Sequence, residues 1–380
     1  MNLKPRLPLL LIVCAPFLTQ GHSMQVPAAA GRHVVLVSMH MREMVDSREL
    51  RNPELLPLIK EMLQLKHPDD YRKEYAQGAA LQRRGKLREA EAIYGRIVPA
   101  LESLLGTEHP DSLKCRLSLA NLLRDLGENE AAEEQYLILL PRMERVRGEE
   151  DRESMNCRHD LGFVLDRQGR YAEAEKEYRA VIAVRARVLG AEDHGTLVLR
   201  NNLAHVLHEQ ERNAEAEKAY REVFSIRVRL LGEEHPETLK SRAGIATVLR
   251  ALGRNEESEK AHREVLAVCE RVLGPEHSQT LNCRNNLGNV LREQGKIAEA
   301  EAEHRAVLAI RERVLGAEHI EVFRSCHNLA LCLKALGSLD EALQLSRRAE
   351  LGWVNTLGRK HPDSVHASEL REEIEEAVGD

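Results

Sequence analysis

The sequence has few aromatic residues and no marked excess of charge of either sign. Phe, Trp and Tyr make up 3% of the 380 residues, and the formal net charge is −6. Nucleic-acid-binding proteins use aromatic side chains as stacking platforms and clustered Lys and Arg as a basic surface. Both features are missing, so the composition argues against a nucleic-acid partner.

Signatures of catalysis are also missing. The chain has no Gly-rich phosphate loop, no HExxH helix and no recognisable Ser, His and Asp set. Its carboxylates recur on predicted helix faces that are rich in Glu and Arg and exposed to water. Carboxylates on such faces are poorly placed for acid–base catalysis. The sequence therefore predicts a non-enzymatic protein without a cofactor.

Long apolar runs are absent, and the first sixty-two residues differ from the rest. The run Leu7–Leu18 follows Lys4 and Arg6 and is too short for a stable membrane span. Residues 1–23 have the pattern of a secretory signal peptide, which favours a periplasmic or extracellular location. The alternative is translation from Met24. Residues 24–62 include Pro53–Met62, which matches a degenerate capping half-repeat.

Cysteine usage favours the opposite compartment. Cys115 and Cys157 hold the same place in neighbouring repeats, about 10 Å apart by helix packing, which is too far for a disulfide. The other cysteines beyond the leader have no evident partner and are predicted to be small buried hydrophobes; they are Cys269, Cys283, Cys326 and Cys332. Free thiols are usual in the cytoplasm, which stays open as the alternative location.

A forty-two-residue period dominates the chain from residue 63 onward. It is marked by glycines at identical spacing: Gly106, Gly148, Gly190, Gly232, Gly274, Gly316 and Gly358. We count seven repeats over residues 63–356 and a terminal capping helix over residues 357–380. Such a period predicts an array of stacked supersecondary units. Similar sequences recur because each unit must present the same packing surface to its neighbours.

Each repeat has the pattern of two antiparallel helices. Apolar and small residues recur at helical spacing without strand-like alternation, as in Leu203, Ala204 and Leu207. A glycine such as Gly295 ends the first helix, and Glu211 is the exception. A small residue in the second helix, such as Ala300, allows close helix approach.

The phrases RNNLA, QGKIAEAE, IRERVLG and LGEEHPETL resemble tetratricopeptide repeats of the long form found in kinesin light chains and in many bacterial repeat proteins. The resemblance covers residue 63 onward. It implies an all-α fold, a right-handed superhelical solenoid of antiparallel helix hairpins. It also implies a groove that holds extended or helical peptides through Asn and basic residues.

Histidine recurs in the turn before most first helices. A metal site needs ligands that converge at about 2 Å, whereas repeats set these side chains about 10 Å apart. We therefore predict no metal site and assign helix capping to this series, which comprises His67, His109, His235, His277, His319 and His361, with Asp151 and Asp193 as substitutes.

Arginine holds the fourth position of the first helix in five consecutive repeats, at Arg116, Arg158, Arg200, Arg242 and Arg284. One interpretation is a rail of cations for an anionic ligand. We favour a structural ladder in which each guanidinium stacks on a ring of the second helix and pairs with a Glu one turn before that ring. For Arg116 these companions are Tyr136 and Glu133.

Positions two, five, nine and twelve of the first helix share one face, which should line the concave side of a stacked array. The candidate peptide-binding residues on it are Arg72, Lys114, Asn121, Arg124, Asn201, His205, His208, Lys240, Arg250, Asn285, Asn289, Arg292, Arg324 and Lys334. Carboxamides can pair with a peptide backbone, and cations select acidic side chains. The helix dipole also favours cations at position twelve without any ligand.

These observations predict an interaction scaffold that captures an acidic segment of a partner protein. One alternative is a self-associating assembly protein that stacks through its end repeats, with Trp353 near such a contact. Another is a non-catalytic regulatory subunit of an enzyme complex. The partner's identity is not encoded in any motif.

Overall fold

A computed structural model describes residues 68–359 and 361–379. The predicted signal peptide, residues 1–23, and the predicted capping half-repeat in residues 24–62 lie outside these ranges. Within them the chain is all-α, with helices joined by short turns and no strand. The fold class predicted from the sequence, an all-α helical repeat array, is confirmed.

Over these ranges the helices alternate between the first and second members of seven hairpins. In chain order they are α1 (Pro68–Arg83), α2 (Leu87–Leu105), α3 (Pro110–Asp125), α4 (Asn129–Arg147), α5 (Arg152–Arg167), α6 (Tyr171–Val188), α7 (His194–Glu209), α8 (Asn213–Leu231), α9 (Pro236–Ala251), α10 (Asn255–Val272), α11 (Ser278–Glu293), α12 (Ile297–Leu315), α13 (Ile320–Ala335), α14 (Leu339–Leu357) and α15 (Pro362–Gly379).

The described part of the chain divides into two compact units, one that ends at Val184 and one that begins at Arg185, which we call the N-terminal and C-terminal units. The core of each is built from the same positions of successive hairpins. At the small-residue site of the second helix, Ala132 and Ala300 are fully buried. Ser258 replaces alanine there and donates its hydroxyl to the backbone oxygen of Ala246 at 2.7 Å.

The members of the histidine series that lie in the described residues cap their first helices as predicted; His67 lies outside these residues. The imidazole Nδ1 of His109, for example, accepts the backbone N–H of Asp111 at 3.1 Å. His235, His277 and His319 make the same contact at their own helices. Each side chain satisfies an amide that has no partner inside the helix, so these residues begin helices.

Glycine ends most first helices in a left-handed conformation, with φ near +75° at Gly253 and Gly295. Glu211 holds the corresponding place with φ 61°, and it is the one non-glycine residue at positive φ in the described chain. A Cβ atom makes this conformation costly.

We expect Glu211→Gly to stabilise the C-terminal unit by about 1 kcal/mol, since the strain at Glu211 is removed. Urea unfolding followed by circular dichroism measures the change. His205→Gly, inside α7, is the control and should destabilise by a similar amount. A loss of stability in Glu211→Gly would contradict the strain argument.

Helix α15 closes the array. Its Ala367, Leu370 and Ile374 are buried in a cluster with residues of α13 and α14, including Trp353. Its other face carries glutamates, such as Glu375, which pairs with Arg347 at 2.7 Å. An apolar inner face and an acidic outer face suit a terminal cap.

Candidate functional site

The candidate residues lie on the first helices of both units, and the contacts of each unit are described separately. In the N-terminal unit all four are engaged within the protein. Arg72 pairs with Asp111 at 2.8 Å, and Lys114 lies 5.1 Å from the ring centroid of Tyr75. Both cations therefore have partners within the protein, a carboxylate for Arg72 and an aromatic ring for Lys114.

The two other candidates of this unit reach across to neighbouring helices. Asn121 accepts the hydroxyl of Tyr136 at 2.6 Å. Arg124, at position twelve of α3, pairs with Asp160 of α5 at 2.8 Å. Burial raises the pKa of Asp160, and the nearby Arg124 guanidinium opposes that rise.

In the C-terminal unit, cations at positions two and twelve mostly have acidic partners. Lys240 and Arg324, both at position two, pair with a glutamate one turn earlier on their own helix, at 2.6 and 2.8 Å. At position twelve, Arg250 pairs with Glu293 at 2.5 Å and Lys334 with Glu373 at 2.6 Å. The last two partners come from the following first helix.

The amides and histidines of this unit are also engaged, with one exception. Asn201 accepts the hydroxyl of Ser241 at 3.0 Å, and Nδ1 of His208 lies 2.7 Å from Oδ1 of Asn213. His205 lies near Glu209, with 3.7 Å between Nδ1 and the carboxylate. The exception, Asn289, makes no hydrogen bond within the described residues.

Asn285 corrects the sequence analysis. It is only 7% exposed, and its side-chain oxygen accepts the amide of Asn328 at 2.9 Å. This pair joins α11 to α13, so Asn285 packs the array and offers no surface to a peptide. Position five lies deeper than the helical-wheel argument predicted because neighbouring first helices meet there.

Arg292, at position twelve of α11, differs from the other candidate cations of the C-terminal unit. It makes no ion pair or hydrogen bond within the described residues, and its buried Nε has no partner there. Register explains the difference. The other position-twelve cations, Arg124, Arg250 and Lys334, take their partners Asp160, Glu293 and Glu373 from the following first helix. In the helix that follows Arg292, the three equivalent positions hold residues without a carboxylate, namely Asn328, Ala335 and Leu331.

The surroundings of Arg292 add further unused polar atoms. His327 of α13 lies near enough for the Arg292 charge to act on it, and its buried Nδ1 has no partner in the described part of the chain. Burial lowers the pKa of His327 to about 4, so the ring is neutral near pH 7. We call Asn289, Arg292 and His327 the Arg292 patch. It combines an uncompensated cation with amide and imidazole groups.

The arginine ladder forms ion pairs, but with carboxylates other than those predicted. Arg116 pairs with Glu102 of the preceding second helix at 2.7 Å. Glu133, its predicted partner, pairs instead with Arg170 at 2.6 Å. The remaining ladder pairs are Arg158 with Glu144 and Glu177, Arg200 with Glu222, Arg242 with Glu264, and Arg284 with Glu270 and Glu303.

The rings proposed as ladder partners cover the first helix instead. Tyr178 lies so close to Gly162 that a Cβ there would approach its ring to 2.9 Å, and His304 covers Gly288 in the same way. The predicted pairing of each Arg with the Glu before the ring was wrong. Arg116, Arg158 and Arg284 pair with a glutamate of the preceding second helix, whereas Arg200 and Arg242 pair with a later glutamate of their own second helix.

Three other expectations concern surfaces and metals. Trp353 is 2% exposed and lies against His327, with ring centroids 5.5 Å apart, so this side chain does not offer the contact surface suggested for it; self-association stays an alternative. Among the described residues, no three His, Cys, Asp or Glu side chains group as metal ligands would. None of the described helices is long and apolar enough to cross a membrane.

The repeated hairpins and their packing match a known family. A family model described as the tetratricopeptide repeat matches in six overlapping segments, residues 72–145, 117–187, 153–227, 195–254, 240–313 and 284–350. The chain belongs to the tetratricopeptide repeat family. Tetratricopeptide repeat proteins bind protein or peptide partners, so this chain is a repeat scaffold of that kind.

Solved structures of tetratricopeptide repeat proteins share the fold. A point variant of a kinesin light chain-like repeat protein from Podospora anserina is 23% identical with a TM-score of 0.50, over 55% of this chain and 99% of its own. A tetratricopeptide repeat protein from Parabacteroides merdae and the apo form of RapI are each 14% identical with a TM-score of 0.58, over 80% of this chain and 99% of theirs. No curated protein sequence matches the chain.

Proposed function

We propose that this tetratricopeptide repeat chain is a non-enzymatic scaffold that binds an acidic, extended or helical segment of a partner protein. The segment lies along the first helices of the C-terminal unit, and the Arg292 patch anchors one of its carboxylates. The observation that carries the proposal is that Arg292 has no acidic partner within the described residues, whereas the other candidate cations of the C-terminal unit, Lys240, Arg250, Arg324 and Lys334, each pair with a glutamate.

The chemistry of the patch suits a carboxylate. A guanidinium offers parallel donors to both oxygens of a carboxylate, and such bonds are stronger than neutral ones. Asn289 lies one turn earlier on the same helix face and can pair with the peptide backbone as donor and acceptor. Paired cations such as Arg250 would first have to release Glu293, so their net contribution to affinity is small.

Loss of the Arg292 charge is expected to weaken binding of an acidic peptide about tenfold, because a charge-assisted hydrogen bond is lost. The variant is Arg292→Gln, which keeps the stem and removes the cation. The probe is a fluorescein-labelled peptide of alternating Glu and Ser, and fluorescence anisotropy at low salt measures its affinity. Rising salt should weaken wild-type binding.

A second variant neutralises Arg292 without removing it. Ala335 is exposed and holds the place from which Glu293 reaches Arg250. Ala335→Glu should therefore supply an internal partner to Arg292 and weaken binding to a similar extent. Agreement between the two variants would tie the loss to the charge and not to the Arg292 stem.

The matched control removes a pair that is already neutral. Lys334→Gln with Glu373→Gln deletes a position-twelve cation and its partner one repeat further on. Affinity should stay within about twofold of wild type, since a neutralised surface pair contributes little. Equal losses of affinity in the control and in Arg292→Gln would contradict the role of Arg292 as the carboxylate anchor. Unchanged affinity in Arg292→Gln would contradict it as well.

A further inference from the structure

In two repeats of the C-terminal unit, the same contact joins a second helix to the next first helix. In the C-terminal unit, Nη1 of Arg227 donates to Oγ of Ser241 at 2.8 Å. Nη1 of Arg311 donates to Oγ of Ser325 at 2.9 Å. Both pairs are fourteen residues apart in the chain and lie at the same two positions of the repeat. Side chains at these positions therefore face each other.

In the repeat between those two, the same positions hold Cys269 of α10 and Cys283 of α11. The side chains are 0% and 1% exposed and belong to one core cluster with Leu239 and Leu287. Hydrogen bonding between the thiols lowers the pKa of Cys269 and raises that of Cys283. Both are free thiols in the structure. The predicted burial of both is confirmed, and the structure adds a neighbouring thiol for each that the sequence analysis did not identify.

Cys115 and Cys157 do not share this arrangement, although a third thiol, Cys332, lies in the same core cluster as Cys269 and Cys283. Cys115 and Cys157 occupy the same first-helix position as Cys283, but Leu101 and Met143 hold the facing position. Each is buried in an apolar setting, and burial raises the pKa of Cys115 to about 12. Of the three pairs compared, only Cys269 with Cys283 has a cysteine at both of the facing positions.

We propose that Cys269 and Cys283 are a modification site, a dithiol that a small disulfide such as oxidised glutathione converts into a disulfide linking α10 to α11. The Cys269 thiolate attacks one glutathione sulfur and releases one reduced glutathione. The Cys283 thiol then loses its proton, attacks the Cys269 sulfur and releases the second glutathione. The protein loses two electrons and two protons, and oxidised glutathione becomes two reduced glutathione molecules.

The link would join one repeat to the next at the helix that carries the Arg292 patch. Asn289 and Arg292 lie on α11, so the disulfide would fix the helix that presents them against its neighbour. The proposal does not depend on peptide binding, since it concerns the core face of α11. A loss of peptide binding in Arg292→Gln leaves it unaffected.

The test must give the buried thiols access to the oxidant. The full chain is unfolded in denaturant and refolded in a buffer of reduced and oxidised glutathione, and remaining thiols are blocked with iodoacetamide. Proteolysis and mass spectrometry should find the Cys269 and Cys283 peptides joined, lighter than their sum by two hydrogen atoms. Cys157 should be alkylated. Alkylation of both Cys269 and Cys283, or their linkage to other cysteines, would overturn the proposal.

A serine variant provides a second readout. Cys283→Ser introduces the residue that stands at this position as Ser241 and Ser325, so it should fold. The wild-type thermal midpoint should rise by several degrees from reducing to oxidising glutathione buffer, because the closed chain loses less entropy on folding. The midpoint of Cys283→Ser should not respond. An equal response in both proteins would contradict the link.

Discussion

Acidification from pH 7 to pH 5 is expected to cost the C-terminal unit about 4 kcal/mol of stability through two buried imidazoles, His262 and His304. Both side chains are fully buried, and neither ring nitrogen has a hydrogen-bond partner among the described residues. Burial, the larger cause, and nearby guanidinium charges together lower the pKa of each to about 4 from its usual 6.5; the charges are those of Arg250 for His262 and of Arg292 and Arg311 for His304.

The sign follows from proton uptake. Between pH 6.5 and 4 the unfolded chain binds protons that the folded chain cannot accept, so stability falls as pH falls through that window. Each histidine contributes about 2 kcal/mol of the loss at pH 5. Urea unfolding at pH 7 and pH 5, followed by the fluorescence of Trp353, measures the effect, because Trp353 is the single tryptophan and lies in this unit.

Carboxylates also titrate in acid, so a matched variant is needed to isolate the histidines. His262→Tyr with His304→Tyr restores the residue that holds this place at Tyr136, Tyr178 and Tyr220. The added hydroxyl at 304 has an acceptor, since Tyr136 donates to Asn121 and Asn289 holds the equivalent place. The variant should lose about 4 kcal/mol less than wild type between the two pH values. Equal losses would mean that the two imidazoles do not control the acid response.

The second large effect is expected from Gly352→Val, which should destabilise the C-terminal unit by about 3 kcal/mol. A Cβ at Gly352 would lie 2.4 Å from the ring atoms Cε1 and Cζ of Phe323. The ring is buried between α13 and α14, and Trp353 fills the adjacent space. Neither side of the contact can shift without disturbing that packing.

The chain itself indicates the compensating change. In an earlier repeat, Leu239 stands at the position of Phe323 and Val268 at the position of Gly352. A smaller side chain on the first helix is thus matched by a larger one on the second. Phe323→Leu alone leaves a cavity and should cost about 1 kcal/mol. Combined with Gly352→Val it should return stability to within about 1 kcal/mol of wild type, a strong coupling in a double-mutant cycle. Additive losses in the double variant would contradict direct contact between the two positions.

Much of the fold could be predicted from sequence because its determinants are local and repeated. Capping by His109 and its equivalents depends on residues within one turn, and the left-handed residue at Glu211 follows from the helix end alone. Seven copies of one pattern then show which positions pack. Local rules of this kind need no knowledge of the neighbouring repeat.

The side-chain pairings could not be predicted as well because they depend on contacts between repeats. Arg116 had acidic candidates on two helices, and the one that reaches it, Glu102, belongs to the preceding repeat. Asn285 lies buried because its helix meets the next first helix at that position. The Cys269 and Cys283 contact has a signal in the sequence, the Arg and Ser pairs at the same register, but reading it required the observed contacts.

The acidic partners of the position-twelve cations come from the following repeat, so the residues that set the charge of the proposed binding surface differ from those that hold the fold together. Packing depends on buried apolar residues, whereas the charge offered to a ligand depends on one exposed residue of the next copy, such as Ala335 after Arg292 or Glu293 after Arg250. A duplicated repeat therefore inherits its architecture unchanged, while a single codon change can switch an anchoring point on, switch it off or move it along the array.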